Sequence, residues 1–549
     1  MKSKYIFGIA LSLFIGIAVT SCTDGNDWGT DSTHDRLFSL SSSKIEVEAA
    51  DITAEVSFQR MPEIQYYIIE LSTDTLYDDI PLGSTANSII YGQDKSITSS
   101  PVTLTNLMGD TRYYMRIKGM SDVKAESRWT YYKDGKTFKT LAEQIFNTLT
   151  AEDILNGSVH VSWDTSKEAD HIVVRIGEEE VQYITLTDAD KAAGELIINN
   201  LNPTTTYTIS IYNGNAKRGT LTVTTPSAIP TSNYNYQLPA DATVITQNMM
   251  NEIAEQAKAE AGSETNYSVT IEIPANKTID IHGTAEDGSA TSVKVPDGMS
   301  VTFFGLAGGE RPVINLSKSL DIRGSHAFIR FENVEIVDGG CLYVINQSET
   351  CTLGELSFND IRSNGLSRSL VRLQGDAAKS IEKLIINNSI ISNQGQGGYA
   401  LIQTYNGKAS KINEISVSNS TFYTLQHSFI SGANSLGYDL VDIKDCTFYN
   451  IIGSGRYLVD ANSLDTNISM TNDIFALVYN ASAKGIRTAG TVEISNSYST
   501  NDFILSSNKF TTDQSFDGSS ADLFKAPENA DFTLRTSIEA GDPRWYPTE

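Results

Sequence analysis

A short phrase repeated seven times between about residues 329 and 499 constrains the fold of this chain more than any other feature. In most copies two apolar residues at alternate positions precede an Asn or Asp, and an apolar residue usually returns three positions later. The Asn and Asp positions are separated by 27, 28, 31, 26, 27 and 24 residues. They are Asn333, Asp360, Asn388, Asn419, Asp445, Asn472 and Asn496. A period of this size indicates an array of stacked structural units.

Each unit is predicted to contain three strands. The alternation of Leu384 and Ile386 before Asn388 is typical of a strand with one buried face. Asn and Asp tolerate left-handed backbone and bond to neighbouring backbone groups, so the polar column is expected at a bend between two strands. A third strand follows in every period, as in SLVRLQG and ALIQTYNG. Three short strands without a helix exclude a propeller blade and a leucine-rich repeat, and predict a right-handed parallel β-helix.

This repeat texture over residues 241–549 resembles the pectin-lyase-like superfamily. The resemblance implies that a polysaccharide would lie along the outside of one parallel sheet. The stretch ITQNMMNEIAEQAKAEAG places Ile245, Met249, Ile253, Ala257 and Ala261 near helical spacing, and Gly262 can end the helix. We expect this helix to cap the open end of the β-helix, because an exposed rung offers unpaired backbone to other chains.

The part before the repeats is predicted to be all-β, with modules at residues 38–140 and 141–226 and a linker at 227–240. The string LNPTTTYTISI resembles the fibronectin type III signature. That resemblance implies that Tyr207 closes a corner by bonding to backbone and that Trp163 lies in the core. The first module is fibronectin-like but departs from the pattern, because Phe58 replaces the tryptophan and no proline precedes Thr111.

The N-terminus predicts an exported protein. Residues 1–21 contain two lysines, a short apolar run and small residues, which together are typical of a signal peptide. Val19-Thr20-Ser21-Cys22 matches a bacterial lipobox, so Cys22 is expected to carry lipid and to anchor a tether of residues 22–37. The acidic tether resembles that of outer-membrane lipoproteins exposed on the cell surface. An ordinary signal peptide with a chance cysteine is the alternative.

Charge and cysteine usage exclude some partners. With 41 Lys and Arg against 67 Asp and Glu, the net charge is −26, and no basic run appears, so nucleic-acid binding is not expected. The sequence allows a disulfide between Cys341 and Cys351 but does not decide it. Cys446 follows the polar column and is predicted to be a small buried residue. The six histidines are scattered, so no metal site and no cofactor are assigned.

The third strand of the repeat carries the candidate site. Alignment predicts an inward row of Val371, Ile402, Ile430, Val459 and Ile486, and therefore an outward row of Arg372, Gln403, Ser431, Asp460 and Arg487. A second outward row precedes it: Arg368, Tyr399, His427, Arg456 and Ala483. Between the two rows run Leu370, Leu401, Phe429, Leu458 and Gly485. The predicted glycan-binding residues are Arg368, Arg372, Tyr399, Gln403, Tyr405, His427, Arg456, Asp460 and Arg487.

These residue types favour an anionic glycan. Arginines pair bidentately with carboxylates such as those of uronates, and tyrosines offer ring faces to sugar C–H groups. The pattern therefore predicts a binding strip for a pectic or other uronate-containing polysaccharide. The alternative is a solvated sheet face on which arginine stems cover an apolar row.

Catalysis is not favoured, and no catalytic residue is assigned. A calcium-dependent pectate lyase needs several converging carboxylates, and a hydrolase needs clustered aspartates, but the strip holds only Asp460. Three further acids, Asp338, Asp376 and Asp439, lie near turns, and the three-dimensional fold decides whether they come close to the strip.

The favoured function is that of a lipid-anchored, cell-surface glycan-binding protein. The protein resembles accessory proteins of polysaccharide-utilisation systems, including β-helix lipoproteins of unassigned function. This resemblance implies an outer-membrane glycan transporter as a further partner. The alternatives are a pectin-cleaving polysaccharide lyase, for which alone Ca²⁺ would be needed, and an adhesin or scaffold without a sugar ligand.

Overall fold

A computed structural model describes residues 35–547, which divide into two compact units. The first comprises residues 35–144 together with Asn215–Gly219, and the second comprises Ile145–Gly214 with residues 220–547. The predicted signal peptide, the lipid-bearing Cys22 and most of the tether lie outside the described residues.

The first unit contains a fibronectin type III-like sandwich. One sheet consists of Glu46–Ala49, Ala54–Ser57 and Val102–Leu104. The other consists of Tyr66–Ser72, Ile89–Tyr91, Arg112–Met120, Thr130–Tyr131 and Thr137–Lys139. Phe58 is buried at the tryptophan position, with its ring 4.5 Å from that of Tyr67. The backbone N–H of Met108 donates to the Tyr113 hydroxyl at 2.9 Å, so a tyrosine corner forms without the missing proline.

Another fibronectin type III-like sandwich begins at Ile145 and belongs to the second unit except for Asn215–Gly219. Its sheets consist of Ile154–Leu155, Ser158–Ser162 and Glu195–Ile198, and of His171–Ile176, Glu179–Thr185, Thr206–Asn213 and Ala216–Thr224, with a short helix at Asp188–Ala193. Trp163 is buried, and the Asn202 N–H donates to the Tyr207 hydroxyl at 2.8 Å. Both expectations from the LNPTTTYTISI string are therefore confirmed.

A parallel β-helix with three sheets forms the rest of the second unit. The ten-stranded sheet comprises Tyr234–Gln237, Tyr267–Ile273, Met299–Gly305, Gly324–Glu332, Cys351–Asn359, Lys379–Asn387, Ser410–Ser418, Gly437–Lys444, Asn467–Thr471 and Val492–Ser495. The eleven-stranded sheet comprises Val244–Ile245, Thr278–Ile281, Val313–Leu316, Glu335–Asp338, Arg362–Asn364, Ile390–Gln394, Thr421–Leu425, Thr447–Ile451, Ile474–Val478, Tyr498–Ser499 and Gln514–Ser515. The six-stranded sheet comprises Ile345–Gln347, Val371–Leu373, Ile402–Gln403, Ile430–Ser431, Tyr457–Asp460 and Lys484–Arg487. Residues 234–237, within the segment predicted to be a linker, thus form the first strand of the ten-stranded sheet.

A helix covers the start of the β-helix, as predicted. It spans Gln247–Ala261; the Thr246 hydroxyl caps it by accepting from the Met249 N–H, and Gly262 ends it with φ of 62°. Met250, Ile253, Ala254 and Ala257 are buried against the first rungs. Ile245, which was expected to belong to the helix, lies instead in the preceding strand.

The Asn and Asp column lies at the bend between the ten-stranded and eleven-stranded sheets. All seven residues have positive φ, between 47° and 58°, as their side-chain chemistry predicts. The side chains also bond from rung to rung: Asn472 Nδ2 donates to Asp445 Oδ1 at 3.0 Å, and Asn496 Nδ2 donates to Asn472 Oδ1 at 2.7 Å. The column therefore fixes where each rung turns.

A buried polar column follows directly inside the bend, and the sequence analysis did not find it. The Ser389 N–H donates to Ser420 Oγ at 3.0 Å, the Cys446 N–H to Asp473 Oδ1 at 2.8 Å, and the Asp473 N–H to Ser497 Oγ at 3.1 Å. Burial raises the pKa of Asp473 well above its usual range. Cys446 is buried as predicted, and Cys341 and Cys351 are free thiols, also buried.

The C-terminal segment packs on the outer face of the eleven-stranded sheet. It contains a short helix at Ser520–Leu523 and a hairpin of Phe524–Ala526 and Asp531–Leu534. The Phe532 ring lies 5.3 Å from that of Tyr423 and 5.4 Å from that of Tyr449. Trp545 Nε1 donates to Thr421 Oγ1 at 2.7 Å. The segment therefore covers one side wall of the β-helix.

The column predicts a matched pair of stability effects at Asn419, whose φ is 48° and whose Nδ2 donates to Asn387 Oδ1 at 3.0 Å. Asn419→Gly removes the side-chain bond alone, whereas Asn419→Ala also places a Cβ in left-handed backbone. We expect the alanine variant to lose a further ~1–2 kcal/mol of unfolding free energy relative to the glycine variant. Denaturant unfolding of both variants measures this difference, and equal stability would contradict the role assigned to the backbone.

Candidate functional site

The six-stranded sheet brings the predicted outward row together. Parallel pairing places Arg372 beside Gln403, Gln403 beside Ser431, Ser431 beside Asp460, and Asp460 beside Arg487. The predicted inward residues at the neighbouring positions are buried: Val371, Ile402, Ile430, Val459 and Ile486. Alternation along each strand therefore orients this row outward, as the sequence predicted.

A concave surface of about 650 Å³, here called the cleft, follows this row. Eight of the nine predicted glycan-binding residues line it; the exception is Arg368. Its lining consists of Arg372, Gln374, Gly375, Gly398, Tyr399, Gln403, Tyr405, Asn406, His427, Ser428, Ser431, Gly455, Arg456, Tyr457, Asp460 and Arg487.

Two arginines and two tyrosines interleave at one end of the cleft. Nη1 of Arg368 and Nη1 of Arg372 donate to the Tyr343 hydroxyl at 2.8 and 3.2 Å. Each guanidinium carbon also lies 4.9 Å from the centroid of the Tyr399 ring. Neither arginine has a carboxylate partner among residues 35–547, and the buried Nε of Arg372 has no hydrogen-bond partner there. Cation–π contacts thus hold two like charges close together without an anion.

An ion pair occupies the other end of the cleft. Arg487 donates to both carboxylate oxygens of Asp460, from Nε at 2.8 Å and from Nη2 at 2.9 Å. The guanidinium carbon of Arg487 lies 4.6 Å from the centroid of the Tyr457 ring. Among residues 35–547, Asp460 carries the only carboxylate that lines the cleft, and both of its oxygens are bound by a side chain of the next rung.

His427 is a neutral group in the middle of the cleft. Burial, and secondly the positive charge of Arg456, lower the pKa of His427 to about 4. Its Nδ1 has no hydrogen-bond partner within the described part of the chain. Arg456 itself is exposed, and none of the ion pairs among residues 35–547 involves it.

The cleft is positively charged on an acidic protein. Three guanidinium groups line it, those of Arg372, Arg456 and Arg487, against the single carboxylate of Asp460, so its net charge at neutral pH is +2. The whole chain carries −26. Walls of low dielectric strengthen the field of such a cluster, so the cleft is suited to an anion.

One part of the predicted surface is wrong. Leu370, Leu401, Phe429 and Leu458 are buried in the core and do not lie between two outward rows, and Gly485 and Ala483 are also buried. The reason is that strands of the six-stranded sheet are only two to four residues long. Leu370, Leu401 and Phe429 directly precede the first strand residue, where the chain turns a corner and strict alternation fails, and Leu458 is the second residue of Tyr457–Asp460, beside the equally buried Val459.

Two aromatic residues of the site, Tyr343 and Tyr457, were not predicted from the sequence. Tyr343 belongs to the rung before the first one aligned, and Tyr457 lies three positions before Asp460, where alternation predicts a buried side chain. Tyr457 directly precedes the Leu-Val pair in RYLVD, and this position beside the strand was the sequence signal that could have identified it.

The acids near turns do not reach the cleft. Asp338 accepts from the backbone N–H groups of Gly340, Leu342 and Ser367. Asp376 pairs with Lys408 at 3.3 Å, and Asp439 pairs with Lys411 at 2.9 Å. Within residues 35–547, no group of three or more His, Cys, Asp or Glu side chains is placed to hold a metal ion.

Comparisons with known proteins add little about chemistry. Residues 441–545, which include the last rungs and the C-terminal segment, match a family described as "Domain of unknown function (DUF5123)". A two-domain fibronectin type III segment of chicken tenascin is 15% identical, with 33% of this chain and 97% of that chain covered and a TM-score of 0.20. The FN1–FN3 domains of chicken CNTN1 are 14% identical, with 34% and 67% covered and a TM-score of 0.14. No curated protein matches the chain, and no helix in the described part is long and apolar enough to cross a bilayer.

The environment of His427 predicts its titration. Nuclear magnetic resonance of the imidazole, assigned by the signal lost in His427→Asn, is expected to give a midpoint pH of about 4. Because Arg456 disfavours the charged imidazolium, Arg456→Gln should raise this midpoint toward the ordinary value of 6.5. The imidazole is therefore uncharged throughout the physiological range. A midpoint near 6.5 in the unmodified protein would contradict the buried placement.

Proposed function

We propose that this protein binds an anionic polysaccharide, pectic or otherwise rich in uronate, in the cleft of its β-helix. One observation carries the proposal. Arg372 and Arg456 line a cleft that also contains tyrosines, and neither guanidinium group has a carboxylate partner in the described chain. Arginine forms bidentate charge-assisted bonds with carboxylates, which lysine does not match in geometry.

Ring faces and neutral donors complete the match to a sugar. Tyr399 and Tyr457 stand at the two ends of the cleft with guanidinium groups over their rings, and the exposed Tyr405 offers an aromatic face that suits the C–H side of a saccharide. Gln403, Ser431 and the uncharged His427 lie between these ends, where they can exchange hydrogen bonds with hydroxyl groups. The cleft therefore offers charge for the carboxylates and neutral partners for the rest of the chain.

The hydrogen bonds of Asp460, the acid in the cleft, favour binding without cleavage. General acid or base catalysis needs a carboxylate that can exchange a proton with the substrate. Both oxygens of Asp460 are bonded to Arg487, and no second carboxylate lines the cleft in the described chain. A pectin lyase is retained as an outcome of the test below.

Capture of the glycan at the cell surface is a second element of the proposal. The lipobox cysteine, Cys22, would attach the chain to the outer membrane, and the two sandwiches would separate the β-helix from the lipid. An outer-membrane glycan transporter is the partner that would take up the captured polysaccharide.

Affinity electrophoresis over polygalacturonate, and over a panel of neutral and sulfated glycans, tests the binding. We expect retardation by polygalacturonate that weakens as salt rises, because exposed charge pairs are screened. Arg372→Gln should weaken binding about tenfold or more, since it removes a charged hydrogen-bonding group. Lys383→Gln, which removes the same charge from the ten-stranded sheet, should leave binding unchanged.

Two results would overturn the binding proposal. Steady formation of unsaturated ends, read by ultraviolet absorbance with calcium present and lost in Arg372→Gln, would identify a lyase. Lack of retardation by every glycan would favour an adhesin or scaffold.

The surface location has its own test. Antibody against the β-helix should label intact cells, and Cys22→Ser should release the protein from the membrane fraction because no lipid can be attached. Labelling that requires permeabilised cells would contradict surface exposure while leaving the glycan proposal standing.

A further inference from the structure

The first unit holds a cavity of its own, of about 800 Å³, here called the sandwich cavity. Small-molecule sites in proteins commonly enclose ~300–1,000 Å³, so this volume suits a ligand of that size. The cavity lies on the outer face of the sheet that contains Arg112–Met120. Tyr114 of this strand lines it, whereas the neighbouring Tyr113 points the other way and is buried in the core of the sandwich.

Four aromatic side chains line the sandwich cavity. They are Tyr77, Tyr114, Trp129 and Tyr131. Tyr77 is 59% exposed, and the other three are half-buried. Among residues 35–547, no ring stacking and no cation–π contact involves any of the three tyrosines. Their ring faces are therefore available to the apolar side of a ligand.

A buried ion pair holds two walls of this cavity in place. Arg116 and Glu70 are both fully buried, and Arg116 Nε donates to Glu70 Oε2 at 2.8 Å. The same guanidinium donates to the backbone carbonyls of Tyr77 and Ile80, and its carbon lies 4.3 Å from the centroid of the Trp129 ring. Breaking a buried pair is costly, so the loop that carries Tyr77 and the indole stay fixed without a ligand.

The charges that line the sandwich cavity are negative. Asp78 and Asp134 line it, and no Lys, Arg or His side chain of residues 35–547 does, so its net charge at neutral pH is −2. Neither carboxylate forms an ion pair in the described chain. The Tyr131 hydroxyl donates to Asp78 Oδ1 at 2.6 Å, which leaves Oδ2 to accept from a ligand. The cavity therefore disfavours the anions that suit the cleft.

Hydroxyl groups favour a sugar over an ammonium ion as the ligand. Besides the three tyrosines, the lining includes Ser39, Ser42, Thr75 and Thr130. A hydroxyl group both donates and accepts hydrogen bonds, as the hydroxyl groups of a saccharide do, whereas an ammonium ion only donates. Carboxylates add strong acceptors for sugar hydroxyl groups. Ring faces, carboxylates and hydroxyl groups together match an uncharged saccharide.

From these features we infer that the first sandwich binds an uncharged saccharide in the sandwich cavity. Tyr77 lies against a C–H face of the sugar, and Asp78 and Asp134 accept from its hydroxyl groups. This site is separate from the cleft and opposite to it in charge. The inference does not rest on the proposed binding of an anionic polysaccharide.

Tryptophan fluorescence of the full chain reports on the sandwich cavity, because Trp129 lines it. Titration with tetramers of glucose, galactose and mannose should shift the emission for at least one of the three. The shift should be lost in Trp129→Phe, which assigns it to this cavity. A galacturonate tetramer should cause no such shift, since the two carboxylates repel its charges.

Variants of the lining test the contacts. Tyr77→Ala removes an exposed ring but keeps the carbonyl that Arg116 binds, so the loop should stay in place. We expect affinity for the saccharide, measured by calorimetric titration, to fall about threefold to tenfold. Asp78→Asn should weaken binding as well, because it removes a charge-assisted bond. Tyr183→Ala, which removes a tyrosine of matched exposure (57%) from the second sandwich, should leave the affinity unchanged.

The contrary results are distinct. Binding of choline without any saccharide would overturn the inference and identify an ammonium site. The inference also fails if no neutral tetramer shifts the emission, if the shift persists in Trp129→Phe, or if Tyr77→Ala and Asp78→Asn both keep full affinity. Retardation by polygalacturonate should be the same in Tyr77→Ala as in the unmodified protein, so the outcome at the cleft is read separately.

Discussion

Left-handed backbone at the Asn and Asp column is the constraint on which the rest of the β-helix depends. A single residue near φ of +50° turns each rung between the ten-stranded and eleven-stranded sheets, and side-chain amides tie one rung to the next. Because strand side chains alternate, a slip of one residue would exchange the inner and outer faces of every strand that follows. The column thus sets the register that brings Arg372, Asp460 and Arg487 onto the same face, although none of them lies in it.

Register also decides which charges meet. Residues at equivalent positions of neighbouring rungs are ~4.8 Å apart, so like charges there would repel each other. The outward row avoids this conflict, since Arg372 lies between the neutral side chains of Asn346 and Gln403, and Arg487 meets the opposite charge of Asp460. Hydrogen bonding in the row is incomplete at Arg372, because its buried Nε lacks a partner in the described chain. An unsatisfied buried donor costs free energy.

The repeat made most of this architecture predictable. Period, alternation and the residue types of the column were enough to place the bend, the inward row and eight of the sixteen residues that line the cleft. Prediction failed at corners: Leu370 and its equivalents were assigned outward because alternation was extended beyond strands of two to four residues. It also failed for rung-to-rung pairing. Asp460 and Arg487 were adjacent in the predicted row, yet both were treated as free ligands for a sugar, although opposite charges one rung apart satisfy each other first.

That pairing is also the reason to propose binding and not cleavage for the cleft. An isolated aspartate among arginines would have been a plausible base for proton abstraction next to a uronate. In the structure, each of its two oxygens instead accepts a hydrogen bond from Arg487 on the next rung. Abstraction would require that ion pair to break and leave Arg487 without its partner, at a cost of several kcal/mol if the pair is desolvated by the ligand. The same two hydrogen bonds that occupy Asp460 also pair Arg487, which leaves Arg372 and Arg456 as the cleft arginines without a carboxylate partner in the described chain.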